Sequence, residues 1–314
     1  MTAALYAPSL SWGYVYEDIV NLQTPLTWRE WRAGITSPAV MPSRWLSVTM
    51  QTAIGVATDH DPFWQRLASL VLHLLNGTLL WVLASRLRLG IVGSAMAAGL
   101  FLLHPIQSEA VAAVANRTEL LIALCALTAI WCAERSVWWL AWGLALLAVM
   151  VKPAGIVVLG LVPVWAWWRG LPSWTPIYWA AACCPIVLIG LDGVSGGMGM
   201  RLLWSSPVES ALTATAWSVL LAQWVWPVGL SFDPDWANIT TPPVVAVALG
   251  AWAIMSVLTR RCQWVALIVV WATVGIAPRL PWQLGEGLHE HHLYLMTVAL
   301  SLGTGRLFSQ EHDR

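Results

Sequence analysis

The stretch WQRLASLVLHLLNGTLLWVLAS, residues 64–85, decides the class of this chain. A helix needs about 20 mostly apolar residues to cross a bilayer, and this run supplies them. Outward from it, comparable runs cover about 90–105, 118–134, 137–151, 154–168, 174–191, 244–259, 263–278 and 291–308. Several are short and need flanking residues or protein burial to reach across. The stretch 207–230 is equally apolar but upsets the parity of crossings. Either it begins and ends on one side, as a re-entrant or interfacial helix broken at Pro227, or a short span such as 137–151 does not cross; non-helical backbone at membrane depth requires cover from protein or a cavity. Residues up to Trp12 read as the outer half of one further span, which implies either a start upstream of Met1 or a helix cut to half its length.

Composition agrees with the runs. Of 314 residues, 58% are hydrophobic and 10% charged, against roughly 25% charged in soluble domains. The mean hydropathy is +0.67. Bases and acids balance at 16 each, and Lys152 is the sole lysine. This excludes a soluble enzyme, a disordered chain and a nucleic-acid binder, which needs a basic excess. The apolar runs are too long for the alternating strands of an outer-membrane barrel. Cys125, Cys132, Cys183 and Cys184 lie inside apolar runs, so the five cysteines form no disulfide framework. No cleavable signal peptide with a basic start is present at Met1. Many of the 24 tryptophans, among them Trp12, Trp64, Trp139, Trp167 and Trp226, fall at span ends, as in the aromatic belt of membrane proteins. The expectation is an all-α, polytopic integral membrane protein of about 9–11 membrane helices, with residues 1–314 as a single membrane domain.

Arg86, Arg88, Arg135, Arg169, Arg260, Arg261, Arg306 and Arg314 fall at alternate span ends, and short Arg-rich loops face the cytoplasm. That side then carries eight bases and three acids, and the outer side eight bases and thirteen acids. The outer side holds a long first loop, 14–63, within which WLSVTMQTAIGVA at 45–57 reads as a helix lying on the membrane surface. It also holds 104–119, the glycine-rich 192–209, 231–243 and 279–292.

Five stretches occur in an order that resembles one family: YVYEDIVN at 14–21, RWL at 44–46 followed by HLLN at 73–76, HPIQSEAVAAVANRTELL at 104–121, WPVGLSFDPDW at 226–236, and EHHLYL at 290–295. Together they resemble the membrane half of the tetratricopeptide-repeat-containing O-mannosyltransferases and their bacterial relatives, which belong to the GT-C class of glycosyltransferases. The resemblance runs to about residue 308, without the repeats. Glu17-Asp18 stands where the family usually has two aspartates, and Val151-Lys152-Pro153 where it usually has Ser-Lys-Glu.

The resemblance implies a GT-C-like fold and transfer of a sugar from a polyprenyl-phosphate donor to an acceptor hydroxyl on the external face. It implies a bacterial inner membrane with the active face outside the cytoplasm. An inverting transfer needs a carboxylate that takes the acceptor proton, and the family match places it in the first external loop. Asp18 is the expected base, with Glu17 as helper or metal contact. Arg117 could hold the lipid phosphate, because its planar fork matches phosphate geometry. Lys152 could hold it as a point charge. Glu290, His292 and Tyr294 are assigned to the donor headgroup by the match, and Glu109, His104 and Arg44 to orienting substrate, Glu109 through Arg117 or the acceptor itself.

Blander explanations exist for each of these residues: a solvated loop edge for Glu17 and Asp18, an interfacial ion-pair network for Glu109 and Arg117, snorkelling for Lys152. Metal ligands are not assigned. His289, His291 and His292 suggest a metal, but the pattern is not the H-E-x-x-H helix of zinc hydrolases, and adjacent helical residues diverge by about 100°. Asp233 and Asp235 could bind a divalent cation, although Asp-Pro-Asp also shapes turns. No motif demands a cofactor. The expected partners are the polyprenyl-phosphate sugar and membrane lipids, with no nucleic acid. The rival expectation, from another class, is a non-catalytic structural subunit of a membrane complex built on a degenerate GT-C fold, with partner membrane subunits.

Overall fold

The computed structural model describes residues 2–14, 18, 27–29, 44–171, 207–227, 230, 262–276 and 289–309. The expected spans 174–191 and 244–259, together with Glu17, Asp233 and Asp235, lie outside the described residues. Every regular element among the described residues is helical, as the apolar runs require.

The helices are α1 (Thr2–Tyr6), α2 (Trp45–Ala57), α3 (Pro62–Arg86), α4 (Gly90–Leu103), α5 (Ser108–Ala112), α6 (Arg117–Glu134), α7 (Trp138–Val151), α8 (Val157–Arg169), α9 (Pro207–Val225), α10 (Gln263–Ile276) and α11 (Met296–Leu307). Helix α3 starts where the sequence marks it. Asp61 accepts the N–H of Phe63 at 2.9 Å, and Pro62 takes the first helical position, where its missing N–H costs nothing. Helix α4 stops at His104, which precedes Pro105 in extended backbone. Its ring Nδ1 then accepts the N–H of Ile106 and starts the next turn.

Helix α3 is the one described helix long and apolar enough to cross a membrane alone. Helix α4 joined to Pro105–Ala112, with a 49° bend, would be a second; α7, Pro153–Arg169 and Gln263–Gly275 are apolar but shorter. The segment expected to span 291–308 begins later. Glu290–Leu293 is a 3-10 turn and the α-helix opens only at Met296. The turn's histidines bond to one another and to Glu109, and a regular helix would pull those side chains apart. The first residues form one short α-helix and one 3-10 turn containing Pro8.

Six helices close a ring in which each packs on the next: α3 on α4, α4 on α11, α11 on α10, α10 on α8, α8 on α6, and α6 back on α3. Helix α7 backs α6 from outside. Small residues let these two approach: Ala123, Ala126, Ala129 and Ala133 on α6 and Ala141, Ala145 and Ala148 on α7 are all buried, at helical spacing on one face of each. Helices α4 and α11 come closer still. A Cβ on Gly93 would stand 2.7 Å from the carbonyl oxygen of Gly305, and one on Gly305 would stand 2.5 Å from that of Gly93. Glycine is required at both because the backbones touch. The outer surface stays apolar, with Val71, Leu75, Ile91, Val92 and Trp139 exposed. The start of α3, the end of α4, the starts of α6 and α11 and the end of α7 meet at one end of the ring.

Candidate functional site

That end holds a buried polar cluster built from segments far apart in the chain. Its floor is Arg66, one turn into α3 and 1% exposed. The guanidinium donates to the carbonyls of Ala112 (3.0 Å), Trp12 and Gly13, and its Nη2 lies 3.9 Å from Asp18 Oδ2. Asp18 is fully buried. Its two oxygens accept the main-chain N–H groups of Val114 (3.1 Å) and Ala115 (2.7 Å). The first loop is therefore clipped to the loop before α6 across 96 residues. Tyr14 lies beside this pair and donates to the carbonyl of His60 at 2.8 Å; burial raises its phenol above the ordinary value, and the charge of Asp18 adds to the rise.

Arg117 opens α6, and its guanidinium turns toward α3, where Nε donates to Ser69 Oγ at 3.1 Å and Nη2 to the carbonyl of Gln65. The expected pairing of Glu109 with Arg117 is not made. Glu109 faces His291 instead. Its Oε1 receives His291 Nδ1 at 2.6 Å and its Oε2 the His291 main-chain N–H at 2.9 Å, while Asn116 donates to Oε1 at 3.4 Å. Burial raises the Glu109 carboxyl above its usual range, and the bond from the His291 amide opposes that. Because α5 is a single turn, Glu109 is aimed by the loop and not by a long helix face, and its partner His291 comes from across the fold.

Glu119 sits two residues beyond Arg117 and takes Lys152 Nζ at 3.1 Å. Lys152 ends α7 in extended backbone before Pro153, half-buried and turned inward. A carboxylate oxygen of Glu119 and one ring nitrogen each of His291 and His292 lie within 4.8 Å of one another. The His291 and His292 rings are 4.0 Å apart between centroids. His292 Nδ1 accepts the N–H of His289 at 3.0 Å, and the His289 ring accepts the amide of His292, closing a capping box. Glu290 is buried in the same turn.

Beneath the turn, Tyr294 belongs to a network running into the ring. Its hydroxyl donates to His73 Nδ1 at 2.7 Å and accepts from Asn76 at 3.2 Å. The direction follows from His73 Nε2, which faces the carbonyl of Leu102 at 3.2 Å and so carries the proton. Gln107 donates to Thr297 Oγ1 at 2.6 Å.

Among the expected site residues, Asp18, Glu109, Arg117, Lys152, Glu290, His292 and Tyr294 thus gather at this end, with Glu119 and His291 between them. His104 is placed beside them but is occupied elsewhere: its Nε2 meets the carbonyl of Trp224 at 2.6 Å and its ring stacks on Trp224 at 5.3 Å. This contact ties α9 to the loop. Arg44 stands exposed at the head of α2, and its side chain makes no hydrogen bond or ion pair among the described residues. Sequence reasoning missed Arg66, His73, Asn76 and Gln107 as members of the buried network. The available signal was that all four are polar and lie in or beside apolar runs, where such groups are costly and tend to be used. Compared with known proteins, the chain matches no family model, no curated protein and no solved structure.

Proposed function

We propose that the chain is an integral membrane glycosyltransferase of the GT-C type, moving a sugar from a polyprenyl-phosphate donor to an acceptor hydroxyl. On this proposal the ring of helices stands in a bacterial inner membrane as part of a polytopic bundle of about 9–11 spans, and the polar cluster faces out of the cytoplasm. The observation that carries the proposal is the convergence of the motif residues. Asp18, Glu109, Lys152 and the 289–294 turn come from four separate parts of the chain and meet as one buried polar cluster at the end of an otherwise apolar bundle. Ionisable groups kept in such a place at high cost are a functional-site signature.

The chemistry would run as follows. The acceptor oxygen attacks the anomeric carbon as a carboxylate, Asp18 aided by Glu17, takes its proton; the polyprenyl phosphate leaves with the bonding electron pair. Lys152 and Arg117 supply positive charge on the side where the phosphate develops its second negative charge. Glu290, His292 and Tyr294 line the donor side, and Glu109 orients the acceptor. Main-chain N–H groups of Val114 and Ala115 hold the Asp18 carboxylate in place for this task.

One observation favours the rival proposal of a non-catalytic subunit. Both Asp18 oxygens already hold main-chain amides, and two nitrogens of Arg117 are bonded to α3. Such bonds suit a tether as well as a catalyst. The deciding experiment follows label from a polyprenyl-phosphate sugar in membranes containing the full chain and its Asp18→Asn variant. Transfer by the parent, with a loss of about 10²–10⁴-fold in the variant at unchanged thermal stability, supports the enzyme. Equal transfer by both removes Asp18 as the base. No transfer by the parent, with loss of stability in the variant, favours the subunit.

A further inference from the structure

We propose that Glu119, His291 and His292 form a binding site for one divalent first-row transition ion of the zinc class. The three ligand atoms lie within 4.8 Å of one another and all three residues are buried. Ligands about 2.1 Å from a tetrahedral ion stand about 3.4 Å apart. The widest pair must therefore close by up to about 1.4 Å, and the Glu119 carboxylate, on its flexible stem, can make most of it. Two imidazoles and a carboxylate suit zinc and its first-row neighbours better than magnesium or calcium, which prefer oxygen alone. Three protein ligands also leave a fourth position open, as in catalytic rather than structural zinc sites.

The surroundings match the donor set. A metal-bound histidine usually gives its second ring N–H to a carboxylate, which fixes ring and tautomer. Glu109 is placed to do this for His291, taking Nδ1 at 2.6 Å and the residue's own amide at 2.9 Å. That leaves Nε2 of His291 with its lone pair. His292 is set differently, because its Nδ1 accepts the N–H of His289 at 3.0 Å. Ligation through Nε2 requires the ring proton to move to Nδ1, so metal uptake must open that cap. Lys152, 3.1 Å from Glu119, supplies the counter-charge without metal and competes with the ion for the carboxylate. The site uses neither Asp233 nor Asp235, and it does not depend on the transferase proposal, since it is read by binding alone.

The test uses the full chain in detergent, with exposed Cys262 replaced by serine, stripped by chelator and titrated with zinc chloride in a calorimeter. One ion per chain is expected. His291→Ala should abolish uptake, and Glu109→Gln should weaken it about 10–100-fold, the usual effect of removing such a supporting carboxylate. Lys152→Met should tighten it. The His289 amide should lose protection from hydrogen exchange when zinc is bound. If His291→Ala fails to fold, Glu109→Gln and Lys152→Met decide the matter, because both leave all three ligands in place. Absence of stoichiometric uptake, or affinity unmoved by both of these variants, would overturn the site. Protection retained at His289 with zinc bound would remove His292 and overturn the three-ligand arrangement. Transfer activity is a separate measurement, so failure here leaves the transferase proposal standing, and the reverse.

Discussion

Arg66 shows what one residue can hold. A guanidinium has five N–H donors in a fixed fork, and here it serves three carbonyls from two segments and stands 3.9 Å from Asp18. Removing one partner of a buried charge pair typically destabilises by about 3–5 kcal/mol, because the other charge stays buried. Arg66→Met should therefore lower the unfolding free energy by that order, measured by denaturant unfolding in detergent. Arg66→Lys should recover little, since an ammonium on a single stem cannot span the three carbonyls. An unchanged unfolding midpoint in Arg66→Met would show that the tether between the first loop and the loop before α6 carries no weight. Nothing near Arg66 in the sequence announces this role. A base one turn into an apolar run reads as an interface residue, and its partners lie 46 to 54 positions away.

At the scale of elements, the contact of α4 with α11 is the most exacting. Gly93→Val would drive a side chain into the Gly305 carbonyl, 2.7 Å from where its Cβ must sit, and should destabilise by about 1–3 kcal/mol, as overpacking does. Gly99→Ala, on the same helix with nothing within 4 Å of the added carbon, should be neutral or stabilising, since alanine is favoured over glycine in helices. Thermal unfolding of the two variants side by side tests the contact; equal melting would refute it. The helices themselves were legible in the sequence. The runs at 64–85, 118–134 and 137–151 became Pro62–Arg86, Arg117–Glu134 and Trp138–Val151, because a long apolar run offers the backbone few alternatives to helix. The start of α11 was not legible, since the pull of Glu109 on His291 comes from 182 residues away. The site divides the same way. Its members from the motif stretches were readable as polar groups at span ends, but their pairing was not. Helical period says which face a residue occupies and is silent about what faces it, so Glu109 was matched with Arg117 and Glu119 was not matched with the histidines.

The whole molecule places its polar cluster at one end of the ring and Glu134, bonded to Arg169 at 2.8 Å, where α6 and α8 end. If the bundle spans a membrane as proposed, the two ends face opposite sides. With Cys262 replaced by serine, cysteines at Asp59 or Ser108, both exposed, should react with a membrane-impermeant maleimide on intact cells, and a cysteine at exposed Arg88 should react only after permeabilisation. Gln107 is unsuitable for this purpose because it is buried. Equal reaction at all three positions would sink the orientation. The ring has one further consequence, which concerns time and not space. It closes through α11 on α4, and the same C-terminal stretch supplies His291 to Glu109. A ribosome delivers the chain from its N-terminus, so α3, α4 and α6 wait with an unclosed flank until α11 arrives. The cluster and the closed wall are then completed by one late event, and a nascent chain released before it carries neither. Until then the small-residue face of α4 around Gly93, buried in the finished fold against Gly305, lacks the backbone it is shaped to meet.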